Sequence, residues 1–282
     1  MGDSASDVIR IPDSMLGLIQ TLGKVPTPEE ALWLFCTPVR VEMARKEAVA
    51  ADQARRFEFE SGGAVLAGYE WGEGERSVLL MHGWNGRGTN LSSFVDPLVE
   101  AGFRVVAFDA HGHGDSGGQY CYAPLFADAA MELARLQGDF YGLVAHSFGT
   151  CAGTVAQKLG MGFERVVYLS TMCWIKQRFF EFSAAVGLDA AGQEEMWQIS
   201  EKHFGTGLIE SFHGDVAAQS FTSRGLMIHD EDDPEILPVQ SEAMAAVWPD
   251  SRVLLTKGLG HFRIIRSPMV VNRVVEFMND EV

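Results

Sequence analysis

Positive charge is scarce in this sequence: 22 Lys and Arg stand against 38 Asp and Glu over 282 residues, a formal charge of −16. A field of that sign repels phosphate backbones and anionic bilayers, so neither nucleic acid nor membrane is an expected partner. It does not select anionic substrates either. Cysteine is also scarce. Cys36, Cys121, Cys151 and Cys173 are scattered and form no CxxC pair, which speaks against a disulfide framework, a zinc knuckle and a dithiol redox motif. Buried free thiols are the expectation. Long hydrophobic runs are missing: nothing approaches the ~20 apolar residues of a membrane helix. Met1-Gly2-Asp3-Ser4 opens neither a basic nor an apolar leader, so no signal peptide is read. Cytoplasm is therefore the default location. Internal repeats, low-complexity tracts and flexible linkers are absent as well. With 47% hydrophobic and 21% charged residues, the chain reads as one large globular domain or a domain with an insert.

The N-terminal part reads as helical. Thr27 can cap a helix that Pro28 opens, with Glu29 and Glu30 at the positive end of its dipole and Leu32, Leu34 and Phe35 as an apolar side. Arg40 to Arg55, rich in Ala, Glu and Arg, predicts a second helix, so residues 1–55 form a helical extension. From Arg56 the period changes to two. Phe57 and Phe59 alternate with Glu58 and Glu60, Ser61-Gly62-Gly63 turns, and Ala64 to Trp71 returns, which is a hairpin. Six short apolar runs follow: Val78–Met81, Val105–Phe108, Leu143–Ala145, Val166–Leu169, Leu226–Ile228 and Val253–Leu255. Continuous runs of this length fit strands buried on both faces, as in a parallel sheet covered by helices. Helical stretches lie between most of them. The fold class is thus α/β, with a mostly parallel eight-stranded sheet covered by helices on both faces.

One interval breaks the rhythm. About fifty residues separate the fourth and fifth of these runs, too many for a plain loop. Trp174, Phe179, Phe180, Phe182, Met196, Trp197, Phe204 and Phe212 fall there at helical spacings. Residues 172–221 therefore read as a helical cap inserted after the sixth strand, with 56–171 and 222–282 as the core.

Groups just after the strands are those that a parallel sheet gathers at one edge. Ala145-His146-Ser147-Phe148-Gly149 is a small-x-Ser-x-small turn between a strand and a helix. That shape pushes a serine hydroxyl out of the fold and aims helix N–H groups at it. His82-Gly83-Trp84, Asp109-Ala110-His111-Gly112-His113-Gly114-Asp115-Ser116, His229-Asp230-Glu231-Asp232-Asp233-Pro234 and Gly258-Leu259-Gly260-His261-Phe262 end other strands. Taken together, residues 56–280 resemble the α/β-hydrolase superfamily. The segments match, in the family's order, its oxyanion loop, DxxGxGxS loop, nucleophile elbow, acid segment and histidine segment. Ala145 stands where the elbow usually has Gly, and Asp230 where the acid segment has Gly.

The resemblance implies a nucleophile, Ser147, a base, His261, and a carboxylate to hold the imidazole. Asp230, Glu231, Asp232 and Asp233 compete for that last role, and the family spacing of four after the His selects Asp233. The backbone N–H groups of Trp84 and Phe148 would form the oxyanion hole. Trp174, Phe179 and Trp197 of the cap are candidate substrate-pocket residues. His82, His146 and His229 read as packing residues. His111-x-His113-x-Asp115 is part of a metal-binding string, but Ser116 follows where a further His is needed and the loop motif already explains the glycines. Neither a metal nor a cofactor is expected. The implied activity is hydrolysis of a carboxylic ester through an acyl-enzyme, with a small-molecule ester or thioester as substrate. Thioester cleavage, C–C bond hydrolysis and perhydrolysis with the same residues are the alternatives, together with a low-turnover binding protein on the same fold.

Overall fold

The computed structural model describes residues 23–280. The first part of the expected N-terminal extension, and the expectation about a leader segment, lie outside the described residues. Thr27 caps α1 (Pro28–Phe35) in a reciprocal box with Glu30, and α2 covers Arg45–Gln53. The sheet strands are β1 (Arg55–Ser61), β2 (Ala64–Trp71), β3 (Arg76–Met81), β4 (Phe103–Phe108), β5 (Gly142–His146), β6 (Arg165–Leu169), β7 (Arg224–Asp230) and β8 (Ser251–Thr256). Between them lie α3 (Val95–Glu100), α4 (Ala123–Gln137), α5 (Phe148–Lys158), α6 (Ile175–Ala185), α7 (Ala190–Phe204), α8 (Leu208–Ser211), α9 (Gly214–Ala217) and α10 (Val239–Ala245). The last helices among the described residues are α11 (Gly260–Arg263) and α12 (Pro268–Met278). No helix among the described residues is long and apolar enough to cross a membrane.

The second predicted helix is shorter than expected. Residues 37–44 are not helical and α2 starts at Arg45. Arg40 is drawn away into the loop after β4, where its guanidinium donates to the carbonyls of Gly114 (2.5 Å) and Ser116 (2.6 Å). Those bonds cannot be made from a helix that points its side chains outward.

The strands form one sheet in the order β1-β2-β4-β3-β5-β6-β7-β8. The β1·β2 and β2·β4 pairings are antiparallel and the others parallel. From β3 the chain moves first toward β4 and then to β5 on the opposite side. The loops after β3 and β5 therefore diverge and leave a crevice at the carboxyl edge. The continuous apolar runs are explained by burial on both faces. Leu79 and Met81 of β3 join one core cluster, whereas Val78 and Leu80 join the cluster on the other face. A third cluster is separate from the sheet. There Ala31 and Leu32 of α1, with Cys36 just beyond it, pack against Phe179 and Phe182 of α6 and Met196 and Trp197 of α7. The helices between β6 and β7 and the N-terminal helix thus share one small core above the carboxyl edge.

Candidate active site

β5 runs straight into α5 through Ser147, whose φ of 52° and ψ of −120° are rarely adopted by a residue with a side chain. Such a conformation costs of order 1–3 kcal/mol and persists only where its surroundings enforce it. Here Ser147 N–H donates to Leu169 O (3.0 Å), and Ser147 O accepts from Thr150 N (2.8 Å) and Thr150 Oγ1 (2.6 Å). The helix can start this close to the sheet because Gly149 lacks a side chain. A Cβ there would lie 2.5 Å from Met81 O and 2.6 Å from His82 O, both backbone atoms. Gly149→Ala should lower stability by about 1–3 kcal/mol, measured as an earlier urea-unfolding midpoint.

The structure brings Ser147, His261 and Asp233 together. Ser147 Oγ lies 3.0 Å from His261 Nε2, and His261 Nδ1 lies 2.8 Å from Asp233 Oδ2. A carboxylate accepts only, so Nδ1 carries the proton and the Nε2 lone pair faces the hydroxyl. The other oxygen of Asp233 accepts from the N–H groups of Glu235 (2.8 Å) and Ile236 (3.0 Å). Burial opposes charge on Asp233. Hydrogen bonds from His229 and His261 outweigh it, and hold the carboxyl well below the usual carboxylate range.

None of the other three candidate acids makes a hydrogen bond to His261 among the described residues. Glu231 pairs with Lys257 at 3.3 Å, and Asp232 accepts from Gly258 N at 3.1 Å. Asp230 accepts from Thr256 Oγ1 (2.7 Å), Leu259 N (2.9 Å), Gly260 N (2.9 Å) and Asp232 N (3.1 Å). The residue that replaces the family glycine is therefore a brace for the loop that carries His261.

The histidines expected as packing residues are all buried, and each does something specific. His146 Nε2–H donates to His261 O at 2.9 Å, and burial pushes its ring down to about 3. It stays neutral and steadies the backbone of its neighbour. His82 accepts from Ala110 N (3.0 Å) and donates to Gly83 O (2.7 Å), with burial lowering it to about 4. His229 bonds Ser241 Oγ (2.7 Å) and Ile236 O (2.9 Å). In the loop after β4, His111 bonds Ser61 O (2.8 Å), His113 bonds His111 O (2.9 Å) and Asp115 pairs with Arg87 (2.8 Å). Among the described residues no group of three His, Cys, Asp or Glu could hold a metal ion.

Trp84 lies at the first corner of a turn closed by Gly86 N–H to Gly83 O (3.0 Å), so its own N–H points away from the turn. The Phe148 N–H opens α5 and has no i−4 partner inside the helix. The two rings stack edge to face at 5.0 Å beside Ser147.

This arrangement has relatives. The sequence model of a family described as Hydrolase_4: Serine aminopeptidase, S33 matches residues 72–203. A non-heme chloroperoxidase of Kitasatospora aureofaciens is 34% identical over 94 residues, 32% of this chain and 33% of that one. A 2-hydroxy-6-oxononadienedioate/2-hydroxy-6-oxononatrienedioate hydrolase of Escherichia coli is 34% identical over 79 residues, 26% of this chain and 27% of its own. The matched stretches thus span about a third or less of these curated relatives. A bacterial membrane phospholipase A superposes with a TM-score of 0.65 at 15% identity, over 84% of this chain and 90% of that one. The superposition shows that the two chains share a fold, and the family model covers just under half of this one.

A cavity of about 110 Å³ opens beside Ser147. Of the three pocket residues expected from the sequence, Phe179 lines it. Trp174 and Trp197 do not, and both expectations are corrected. Trp174 turns to donate through Nε1 to Asp215 Oδ2 (2.9 Å). Trp197 is consumed by the core of the helical segment, stacked on Phe180 at 5.8 Å with Lys176 Nζ 4.2 Å from its ring. Several lining residues were not singled out from the sequence. Leu32, Phe35 and Cys36 come from the α1 region, Cys121 and Cys151 from the core, and Ile209 from α8. For Leu32 and Phe35 the apolar side of α1 was the only signal. The charged lining residues are Arg178 and Glu235. Arg178 donates to Glu235 O and pairs with Glu181 at 3.0 Å. The four cysteines are buried, and burial pushes the Cys36 and Cys151 thiols up to about 12. As neutral groups they contribute apolar wall and no nucleophile.

Proposed function

We propose that this protein is a serine hydrolase that cleaves carboxylic esters of apolar acyl or alcohol groups through an acyl-enzyme. The observation that carries this reading is the unbroken chain from Ser147 Oγ through His261 to Asp233, at 3.0 and 2.8 Å, opening onto an apolar cavity. Ser147 attacks the ester carbonyl while His261 takes its proton, and the Trp84 and Phe148 N–H groups meet the developing oxyanion. His261 then hands the proton to the departing alkoxide. Water releases the acid by the same route. Asp233 keeps the imidazole in its working tautomer and balances its charge after proton transfer. The chemistry calls for no cofactor. The segment between β6 and β7, with α1, acts as the lid over the acyl site.

A fluorophosphonate probe tests the reading directly: it should label Ser147 in the native chain and fail on Ser147→Ala. A panel of p-nitrophenyl esters against acyl-CoA thioesters and vinylogous diketones then separates ester work from thioester and C–C cleavage. The second of these alternatives is favoured by the name of the Escherichia coli relative. Chain-length preference should follow the cavity. Ile209→Trp is expected to lower kcat/KM for a hexanoyl or octanoyl ester about tenfold or more, with little change for acetate, because a hydrophobic pocket discriminates by ~1–3 kcal/mol per displaced methylene.

A further inference from the structure

Glu235 is outside the Ser147–His261–Asp233 chain, yet its Oε2 stands 3.8 Å from His261 Nε2, the nitrogen that faces Ser147 at 3.0 Å. Its side chain is 15% exposed and borders the same cavity. The backbone holds it there from both ends. Its N–H is bound to Asp233 Oδ1 (2.8 Å), and its carbonyl accepts from the buried guanidinium of Arg178. A separation of 3.8 Å is too long for a hydrogen bond between the two groups, and it suits one water bonded to each.

We propose, on the reading of Ser147 as the nucleophile, that Glu235 holds the water that hydrolyses the acyl-enzyme. In that half-reaction the acyl carbon is bonded to Ser147 Oγ. Glu235 accepts one proton of the water in a hydrogen bond, and the other points at Nε2. His261 removes that second proton as the water oxygen bonds to the acyl carbon. The tetrahedral adduct collapses, the carbon–Oγ bond breaks, and His261 returns the proton to Oγ. The products are the free acid and the starting serine, with no change of oxidation state. Acylation needs no such water, because Ser147 itself supplies the proton. Glu235 therefore serves one half of the cycle, which a merely structural carboxylate does not do.

Glu235→Gln keeps the size of the side chain and its backbone bonds. With p-nitrophenyl butyrate in stopped flow, the variant should acylate within about threefold of the native rate and deacylate at least about tenfold more slowly. The trace then shows a burst of one p-nitrophenolate per protein, and intact mass shows the butyryl adduct. Glu235→Asp should recover part of the loss. Glu235→Ala should regain deacylation, and not acylation, on addition of formate. Equal losses in both phases, or an unchanged deacylation rate, overturn the role of Glu235 while leaving Ser147 in place. Failure of the native protein to take the fluorophosphonate overturns the reading of Ser147, and this proposal with it.

Discussion

Ser147→Ala and His261→Ala should each lower ester turnover at least about a hundredfold, and the double variant should be hardly worse than either alone. The reason lies in the geometry. Ser147 Oγ and His261 Nε2 are 3.0 Å apart, and each is the other's hydrogen-bond partner. Without the imidazole the hydroxyl is a poor nucleophile, and without the hydroxyl the imidazole has nothing to activate except water. Groups that act as a unit lose most of their effect with the first deletion, and comparable sites lose up to ~10⁶ in kcat. Residual activity should persist, since the helix start and the turn at Trp84 still present N–H groups to a carbonyl oxygen. Initial rates with p-nitrophenyl butyrate for the two single variants and the double variant check this. Near-native rates in either single variant, or strictly multiplicative losses, would refute the assignment.

Asp233→Asn should cost about 10³–10⁴ in kcat with little loss of stability, whereas Asp230→Asn should do the reverse. Asp233 Oδ1 is claimed by two backbone N–H groups, those of Glu235 and Ile236. In an asparagine the amide oxygen would go to that site, leaving the NH₂ pointing at His261 Nδ1. The imidazole must then accept at Nδ1 and carry its proton on Nε2, where it can no longer take one from Ser147. Asp230 instead accepts four hydrogen bonds, three of which tie the end of β8 and the following loop to β7. An amide there can satisfy only part of them, so the expected effect is a lower Tm, with the rate falling less than in the Asp233 variant. Paired measurement of kcat and Tm in both variants distinguishes the two acids. A larger rate loss in Asp230→Asn would mean that the wrong carboxylate had been assigned.

The sheet was legible because burial on two faces forces continuous apolar runs, and those runs mark its parallel strands one by one. The strand ends were legible for the same reason: sharp turns there need Gly, Ser, His and Asp. The structure puts Ser147, His261 and Asp233 within hydrogen-bond reach, residues that the sequence could align only by motif. What the sequence hid were contacts set by packing between distant segments. Trp174 and Trp197 share their composition and spacing with Phe179, and only the direction of each side chain separates wall from core. The short second helix was hidden because the pull on Arg40 comes from carbonyls more than seventy residues away. Glu235 was masked by four neighbouring acids. Its place beside Nε2 follows from the turn that Asp233 imposes on the backbone.

The shared core of α1, α6 and α7 has an evolutionary corollary. The cavity beside Ser147 is walled partly by Leu32, Phe35 and Cys36 and partly by the helices between β6 and β7, while Ser147, His261 and Asp233 stand at the strand ends beneath. Exchanging either covering element can retune which chain lengths are accepted without disturbing a single atom of the proton pathway. Diversification of substrate choice in this lineage should therefore concentrate in those two stretches, and grafting residues 28–36 from a homologue onto this chain is a direct way to transplant its preference.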